Sequence, residues 1–289
     1  MFFVGLTHLM IENDKEIAAK NPSVSLIMGG HEHNNMLYKI GNTVVAKADA
    51  NAVTAYVHRC SYDIKTRKTT IFSQLVKIDE TIAEEPAVAE VVKKWTNIAD
   101  EAYKKAGFNP SEVVTTLKKP LDGRSAIVRL GQSEMGSIIA QAMTQTAKKP
   151  IDCAFFNSGS IRIDDEVNGT VTQQDIVRIL PFGGKLVEFD ILGSELKKVL
   201  TAGLLNRGKG GYLQWHKIQY DDKAKLFIIN GSPLDEQKKY HAITTDFLLS
   251  GKESNLEFFI ETNPSVSNIE KPTEKSDLRS DIRQAFIAF

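Results

Sequence analysis

Cysteine is nearly absent from this chain. Only Cys60 and Cys153 occur, far apart and with no C-x-x-C spacing, which excludes a disulfide scaffold and leaves the redox compartment open. Neither sign of charge dominates. Lys+Arg and Asp+Glu both number 36, so the formal net charge is zero and the basic footprint expected of a nucleic-acid partner is missing. Long apolar runs are missing as well: no uncharged stretch approaches the roughly 20 residues of a membrane span. The opening "MFFVGLTHLMIENDKE" has no positive n-region, and its apolar run meets His8 early, so it reads as a strand rather than a signal peptide. No internal repeat is found.

What is present is the composition of a globular protein, 42% hydrophobic and 25% charged, in 289 residues, enough for one large domain or two ordinary ones. The run "FFVGLT" (2–7) predicts a buried strand. Asn13 and Asp14 are placed to cap a short helix through "DKEIAAK", which Pro22 closes, and "VSLIMGG" predicts a second buried strand. This β-α-β order predicts neighbouring parallel strands, with ligand chemistry beyond their carboxyl ends. His8 lies at the end of the first strand, and His31 and His33 lie just past the second. A domain that opens inside a buried strand also suggests that the sequence starts partway through a domain.

Antiparallel strands are expected in "MLYKIGNTVVAKADA" and "TAYVHRCSYDIKTRKTTIFSQLVKI", turning at Gly41-Asn42 and at "KTRK". In "EEPAVAEVVKKWTNIADEAYKKAG", Val88, Val91, Trp95, Ile98 and Ala102 recur at steps of three and four. Pro86 starts and Gly107 ends a helix that suits an interdomain rod. Beyond it, "SEMGSIIAQAMTQTA" predicts a helix and "IDCAFFNSGS" a strand running into a turn. "TQQDIVRILPFGGKLVEFDILGSELKKVLTAGLL" reads helix, turn, strand, helix, and the last forty residues look loop-rich before a short final helix.

Paired imidazoles in "GGHEHNN" suggest metal ligation, because neutral imidazole is the commonest nitrogen ligand for zinc. H-x-H alone is a weak signal, strengthened by His8 at a neighbouring strand end. A two-metal phosphohydrolase also needs a bridging carboxylate. Glu32 and Asp49 are poor candidates, each better suited to solvent or a local backbone partner, and no D-x-H occurs. Arg129 and Arg162 carry planar forks suited to phosphate or ribose oxygens, with a surface ion pair as the plainer alternative. Phe182 in "LPFGG" and Phe247 in "TTDFLLSG" sit on turns from which two rings can clamp a planar base. "GLLNRGKGG" falls short of a phosphate-binding loop, since Gly210 stands where Ser or Thr must hold magnesium and a helix precedes it. "NSGSI" is no nucleophile elbow.

Taken together, "GLTHL", "IMGGHEHNN", "DGRSAIVRLGQSEMGSIIAQAM", "FFNSGSIRIDDEVNGTVTQQDIVRILPFGGKLVEFDILGSELKKVL" and "GGYLQ" resemble the bacterial and animal 5′-nucleotidases, including their UDP-sugar hydrolase and cyclic-nucleotide phosphodiesterase branches. The resemblance runs from about residue 4 to the C-terminus and is strongest from Asn157 to Leu200. It implies α/β and α+β architecture in three parts: a partial metallophosphatase sandwich (1–79), a linking helix (80–106) and a mixed α+β nucleotide-binding domain (107–289). It implies hydrolysis of a nucleotide phosphate ester with two divalent ions such as zinc or manganese. His8, His31 and His33 match three ligands; the D-x-H pair, the bridging aspartate and the G-N-H-[DE] residues would lie before Met1, leaving no catalytic residue in this chain. The resemblance further implies Arg129, Asn157 and Arg162 as nucleotide contacts, Phe182 and Phe247 as the rings around the base, and domains that rotate about the linking helix. Where the family has a Gly-Gly-Asp turn for the ribose hydroxyls, this sequence has "SGKESN", with Glu253 near the aspartate's place. Alternatives are a catalytically dead nucleotide-binding remnant and a UDP-sugar or cyclic-nucleotide hydrolase. Relatives of this kind are periplasmic, secreted or surface-anchored.

Overall fold

The computed structural model describes residues 2–289. It divides into two compact units, one ending at Lys94 and one running from Trp95 to Phe289. In the first, β1 (Phe3–Leu6), α1 (Ile11–Lys20) and β2 (Val24–Gly29) form the expected β-α-β unit, with Val4 opposite Leu26 in a parallel pair. The hairpin β3 (Met36–Ile40) and β4 (Thr43–Lys47) turns at Gly41, whose φ of 57° suits glycine, and β4 pairs parallel with β2. The sheet order is β1-β2-β4-β3. Ala18 of α1 packs on Ile27 and Val45, with Ile11 and Ile17 against them. A long hairpin, β5 (Thr54–Asp63) and β6 (Lys68–Lys77), forms a separate two-stranded sheet.

Two local expectations for this unit change. β1 pairs on one side only, and it is exposed where burial was expected: Phe3, Val4 and Leu6 are 46%, 45% and 84% accessible. Helix α1 starts earlier than Asn13, with Met10 at its N-cap position and no side-chain cap. Asp14 is fully buried inside the helix and faces Lys47 instead of capping.

Helix α2 (Pro86–Lys105) spans the unit boundary and buries none of its residues. The second unit begins with β7 (Val113–Thr116), β8 (Leu121–Asp122), the short α3 (Ser125–Val128) and α4 (Glu134–Gln145), which Ser133 caps through the Gly136 amide. Next come β9 (Cys153–Asn157), β10 (Glu166–Val167), β11 (Thr170–Thr172) and α5 (Gln173–Ile179), which opens on a Thr172–Asp175 capping box. After β12 (Leu186–Leu192) and α6 (Gly193–Leu205) follow β13 (Leu213–His216), β14 (Ile218–Asp221), β15 (Leu226–Ile229), β16 (Ser232–Pro233) and β17 (Lys239–Thr245). A strand in the loop-rich tail, β18 (Val266–Glu270), precedes α7 (Ile282–Ala288). It was not expected, because its apolar positions are few and it exists by pairing with β12.

One five-stranded sheet, β13-β9-β17-β12-β18, organises this unit. Alternate residues of each strand serve opposite faces. Ala154 and Phe156 join Ile139 and Met143 of α4 and Phe286 of α7, whereas Phe155 joins Phe189, Leu196 and Val199 of α6 and Phe259. Glu188 on β12 is also fully buried and meets the fully buried Arg279 guanidinium. Cys153 lies in this core, and burial pushes its thiol well up from the ordinary range, so it is an inert packing residue.

Candidate functional site

Where the loops at one end of the five-stranded sheet gather, a cleft of about 680 Å³ opens in the second unit. Arg129, Asn157, Arg162, Phe182, Phe247 and Glu253, the six residues for which a substrate contact was expected from the sequence, all line it. They come from five separate segments, so their convergence is a product of tertiary folding.

Arg129 follows α3 on a loop tied to β13 by two glutamines, Gln214 from the strand and Gln132 from the loop itself. Gln214 of β13, fully buried, accepts from the Ser133 amide at 3.0 Å and donates to the Val128 and Gly131 carbonyls at 2.6 and 2.7 Å. Gln132 donates to the Leu213 carbonyl at 2.8 Å and accepts from the Trp215 amide at 3.1 Å. Gly136 stands where a Cβ would come within 2.1 Å of Gln214 Oε1. Arg129 Nε is buried with no hydrogen-bond partner among the described residues, the condition of a donor placed for an acceptor from outside the chain.

At the end of β9, Asn157 is buried, and its Oδ1 accepts from the Ser160 hydroxyl at 2.8 Å. Its Nδ2 donates to Glu253 Oε2 at 3.0 Å. The Gly159 amide donates to the Gly210 carbonyl at 2.7 Å, and a Cβ on Gly159 would lie 3.0 Å from Gly210 Cα, so the two backbones pass at glycine distance. A Cβ on Gly211 would approach Glu253 Oε1 to 2.8 Å. Glu253 thus reaches the cleft from the altered "SGKESN" loop, and its longer side chain is fixed by Asn157.

Phe182 is 68% exposed on the turn after α5, where Gly183 and Gly184 adopt φ of 61° and 111°. The Arg162 guanidinium lies 5.3 Å from the centre of its ring. Phe247, 44% exposed, follows β17 on a turn in which the Ser250 hydroxyl donates to the Phe247 carbonyl at 2.6 Å. Both rings stand open on the wall of the cleft. Gly159, Ser160, Thr245 and Asp246 also line the cleft and were not singled out in the sequence, and Gly210, read there only as the residue that spoils a phosphate-binding loop, joins them. Ser160 and Asp246 stand inside stretches read for other residues, and short polar neighbours of turn-borne rings were the available signal.

In the first unit, the exposed rings of His8 and His31 meet edge to face with centroids 5.1 Å apart. His33 lies on the same loop as His31 with a φ of 65°, and its carbonyl accepts from the Ala50 amide. Glu32 turns away from solvent to pair with the buried Lys47, which also meets Asp14 at 3.0 Å. Burial opposes the charge of Lys47, but the hydrogen bonds to Glu32 and Asp14 outweigh it and hold the ammonium above its ordinary value. Asp49 keeps a local role, accepting from the Asn35 amide at 2.8 Å and the Thr54 hydroxyl at 2.7 Å. The nearby carboxylates are therefore committed to protein partners. Among the described residues no three His, Cys, Asp or Glu side chains form a group that could hold a metal ion. The imidazoles fit a metal by type, but the set as it stands does not complete a centre.

Among the described residues, no helix is long and apolar enough to cross a membrane. The chain is 29% identical over 242 residues to the trifunctional nucleotide phosphoesterase protein YfkN of Bacillus subtilis, covering 80% of this chain and 16% of that protein. It is 27% identical to the 5′-nucleotidase of Bos taurus, covering 86% of this chain and 50% of the bovine one. The chain thus spans half or less of the length of these relatives. Among solved structures, the 5′-nucleotidase precursor of Thermus thermophilus superposes with a TM-score of 0.67 at 20% identity, over 97% of this chain and 59% of that one, which establishes a shared fold. The profile described as "5′-nucleotidase, C-terminal domain" matches residues 113–259, just over half of the chain and the part that holds the cleft. The chain belongs to the 5′-nucleotidase C-terminal domain family.

Proposed function

We propose that this chain supplies the nucleotide-holding part of a metal-dependent phosphohydrolase acting on nucleotides. The observation that carries the reading is the single cleft shared by Arg129, Asn157, Arg162, Phe182, Phe247 and Glu253. Phe182 and Phe247 take the base between their faces, Glu253, steadied by Asn157, accepts from the ribose hydroxyls, and the two arginines meet the negative charge of the phosphate. The 5′-nucleotidases and the phosphoesterase among its relatives support a substrate of this class.

His8, His31 and His33 are the ligands this chain would offer to zinc or manganese. Since the nearby carboxylates are held by Lys47, Asn35 and Thr54, no hydrolytic step is assigned to these residues. The chain's own chemistry is to bind and orient. Division at 79 and 106, with a linking helix between, fits the position of α2 and belongs to this proposal.

Calorimetric titration of the 289-residue protein with AMP, GMP, UDP-glucose and cyclic 2′,3′-AMP, with phosphate release followed in Mn²⁺ or Zn²⁺, tests the reading. At least one of the four binds, and phosphate release stays negligible. Absence of binding would overturn the nucleotide assignment, while turnover by this chain alone would overturn the division of labour.

A further inference from the structure

The two loops that carry the rings leave adjacent strands. β12 and β17 are antiparallel neighbours with Leu186 opposite Thr245, and the Asp246 amide donates to the Lys185 carbonyl at 2.8 Å. Asp246 therefore stands at the junction of the Phe182-Gly183-Gly184 turn with the Phe247 turn, and it lines the cleft. Its carboxylate lies directly over the backbone of Gly184, where a Cβ would come within 3.1 Å of Oδ1. With φ of 111°, Gly184 excludes a side chain there for conformational reasons too, so the carboxylate is left open to the cleft. Asp246 is half-buried, and among the described residues the one donor to its carboxylate is the Phe247 amide, at 2.8 Å from Oδ1.

Of the other polar groups of the cleft, Arg162 lies 5.3 Å from the centre of the Phe182 ring, whereas Asn157 and Glu253 hold each other beside Gly211, and the Arg129 carbonyl accepts from the Gly208 amide of the same neighbouring loop. Sugar chemistry therefore belongs to the Glu253 end, and the base edge to the end with Phe182 and Phe247, where Asp246 is the carboxylate that lines the cleft. A carboxylate only accepts hydrogen bonds, so it selects a base by the donors on that base's edge.

We propose that Asp246 reads the base edge and makes this cleft select guanine. This rests on the nucleotide reading above. Guanine alone places two donors side by side, N1–H and the 2-amino group, at the spacing of two carboxylate oxygens, as an arginine fork does. Hypoxanthine keeps N1–H but lacks the amino group. Adenine sets its 6-amino group beside the N1 acceptor and cytosine its 4-amino group beside N3, so the second oxygen meets a lone pair. Uracil offers one N–H between two carbonyls. In each of these cases a charged acceptor is left with an unmet or repelled oxygen, which is the strongest form of discrimination a site can build.

The test is calorimetric titration of the whole 289-residue protein and its Asp246→Asn variant with GMP, IMP, AMP and UMP. Asparagine keeps the oxygen that accepts from the Phe247 amide, so the local turn is retained. GMP binds at least about tenfold more tightly than IMP, as loss of a hydrogen bond to a charged group implies. Asp246→Asn removes most of that ratio, because one charged acceptor is gone and the amide donor that replaces it opposes the 2-amino group that GMP carries and IMP lacks. Equal affinity for GMP and IMP, or a ratio unchanged in Asp246→Asn, overturns the role of Asp246 while leaving the cleft reading in place. A Phe182→Ala variant separates the two: it weakens all four nucleotides if the cleft holds bases. Indifference of all four to that change, or failure of all four to bind, overturns the cleft reading and this inference with it.

Discussion

Asn157 and Glu253, 96 positions apart in sequence, meet through a 3.0 Å hydrogen bond from Nδ2 to Oε2 at the wall of the cleft. The pair converts an unusual loop into a defined acceptor. Asn157→Asp puts two carboxylates at that separation, with one of them buried. The variant should melt several degrees lower than the parent at pH 7. It should recover much of the difference near pH 4, where protonation removes the repulsion. Melting curves at the two pH values check this; an equal deficit at both would mean that the contact is not electrostatic.

Phe182 and Phe155 predict opposite outcomes for the same substitution. Phe182→Ala removes a ring that is 68% exposed, so folding stability should change by no more than about 0.5 kcal/mol, while nucleotide binding weakens by about 1–3 kcal/mol through lost stacking. Phe155→Ala empties a fully buried site and should cost about 3–5 kcal/mol of stability. Urea unfolding of both variants, with AMP or GMP titration of the first, measures the contrast.

Gln214 supports Arg129 from behind. Gln214→Leu leaves the Ser133 amide and the Val128 and Gly131 carbonyls without their partner, at about 1–3 kcal/mol for each group that stays buried. Since Arg129 rides on that loop, nucleotide affinity should fall as well, even though Gln214 is not among the residues lining the cleft. Unchanged affinity in a folded variant would show that the loop holds its shape without the glutamine.

Acid should weaken the second unit through its ion network. Hydrogen bonds from Arg279 hold the Asp277 carboxyl below its ordinary value, and Lys148 chiefly does the same for Glu270. For groups depressed in the folded state, the stabilisation is full above the unfolded value, near 3.8 for Asp and 4.5 for Glu, and is lost as pH falls through the folded value. Melting temperature should therefore decline gently below about pH 6.5, where burial holds the His58 and His216 imidazoles below their ordinary value and opposes their protonation, and fall steeply below about 4. Arg279→Met takes the guanidinium from the buried Glu188, which keeps the Lys148 amide and the His241 ring as partners, and should cost about 3–5 kcal/mol, whereas adding Glu188→Leu should restore part of it. Thermal melts of the single and double variants across pH decide whether the pair is coupled.

Much of the fold was legible because its signals are local. Alternation and turn residues marked the hairpins at Gly41 and at "KTRK". Pro86 and Gly107 bracketed α2, and the run from Thr172 to Leu205 carried its helix, turn, strand and helix in plain order. The misreadings were tertiary in origin. Asn13 and Asp14 look like caps by residue type, but Asp14 is drawn into the helix body by a buried lysine from β4. β18 has little strand character of its own and is made by its partner β12. β1 reads as buried from its apolar content, whereas burial depends on what packs against it.

For the site, the sequence by itself offered candidates: two turn-borne rings, two arginines and three histidines by residue type and position, and Asn157 and Glu253 through the family resemblance alone. Only the tertiary structure decided that six of them share one cleft, that Glu253 is tied to Asn157, that Glu32 belongs to Lys47, and that Asp246 stands where the ring-bearing loops meet. Strand pairing sets those relationships, and pairing brings together residues that no spacing along the chain connects.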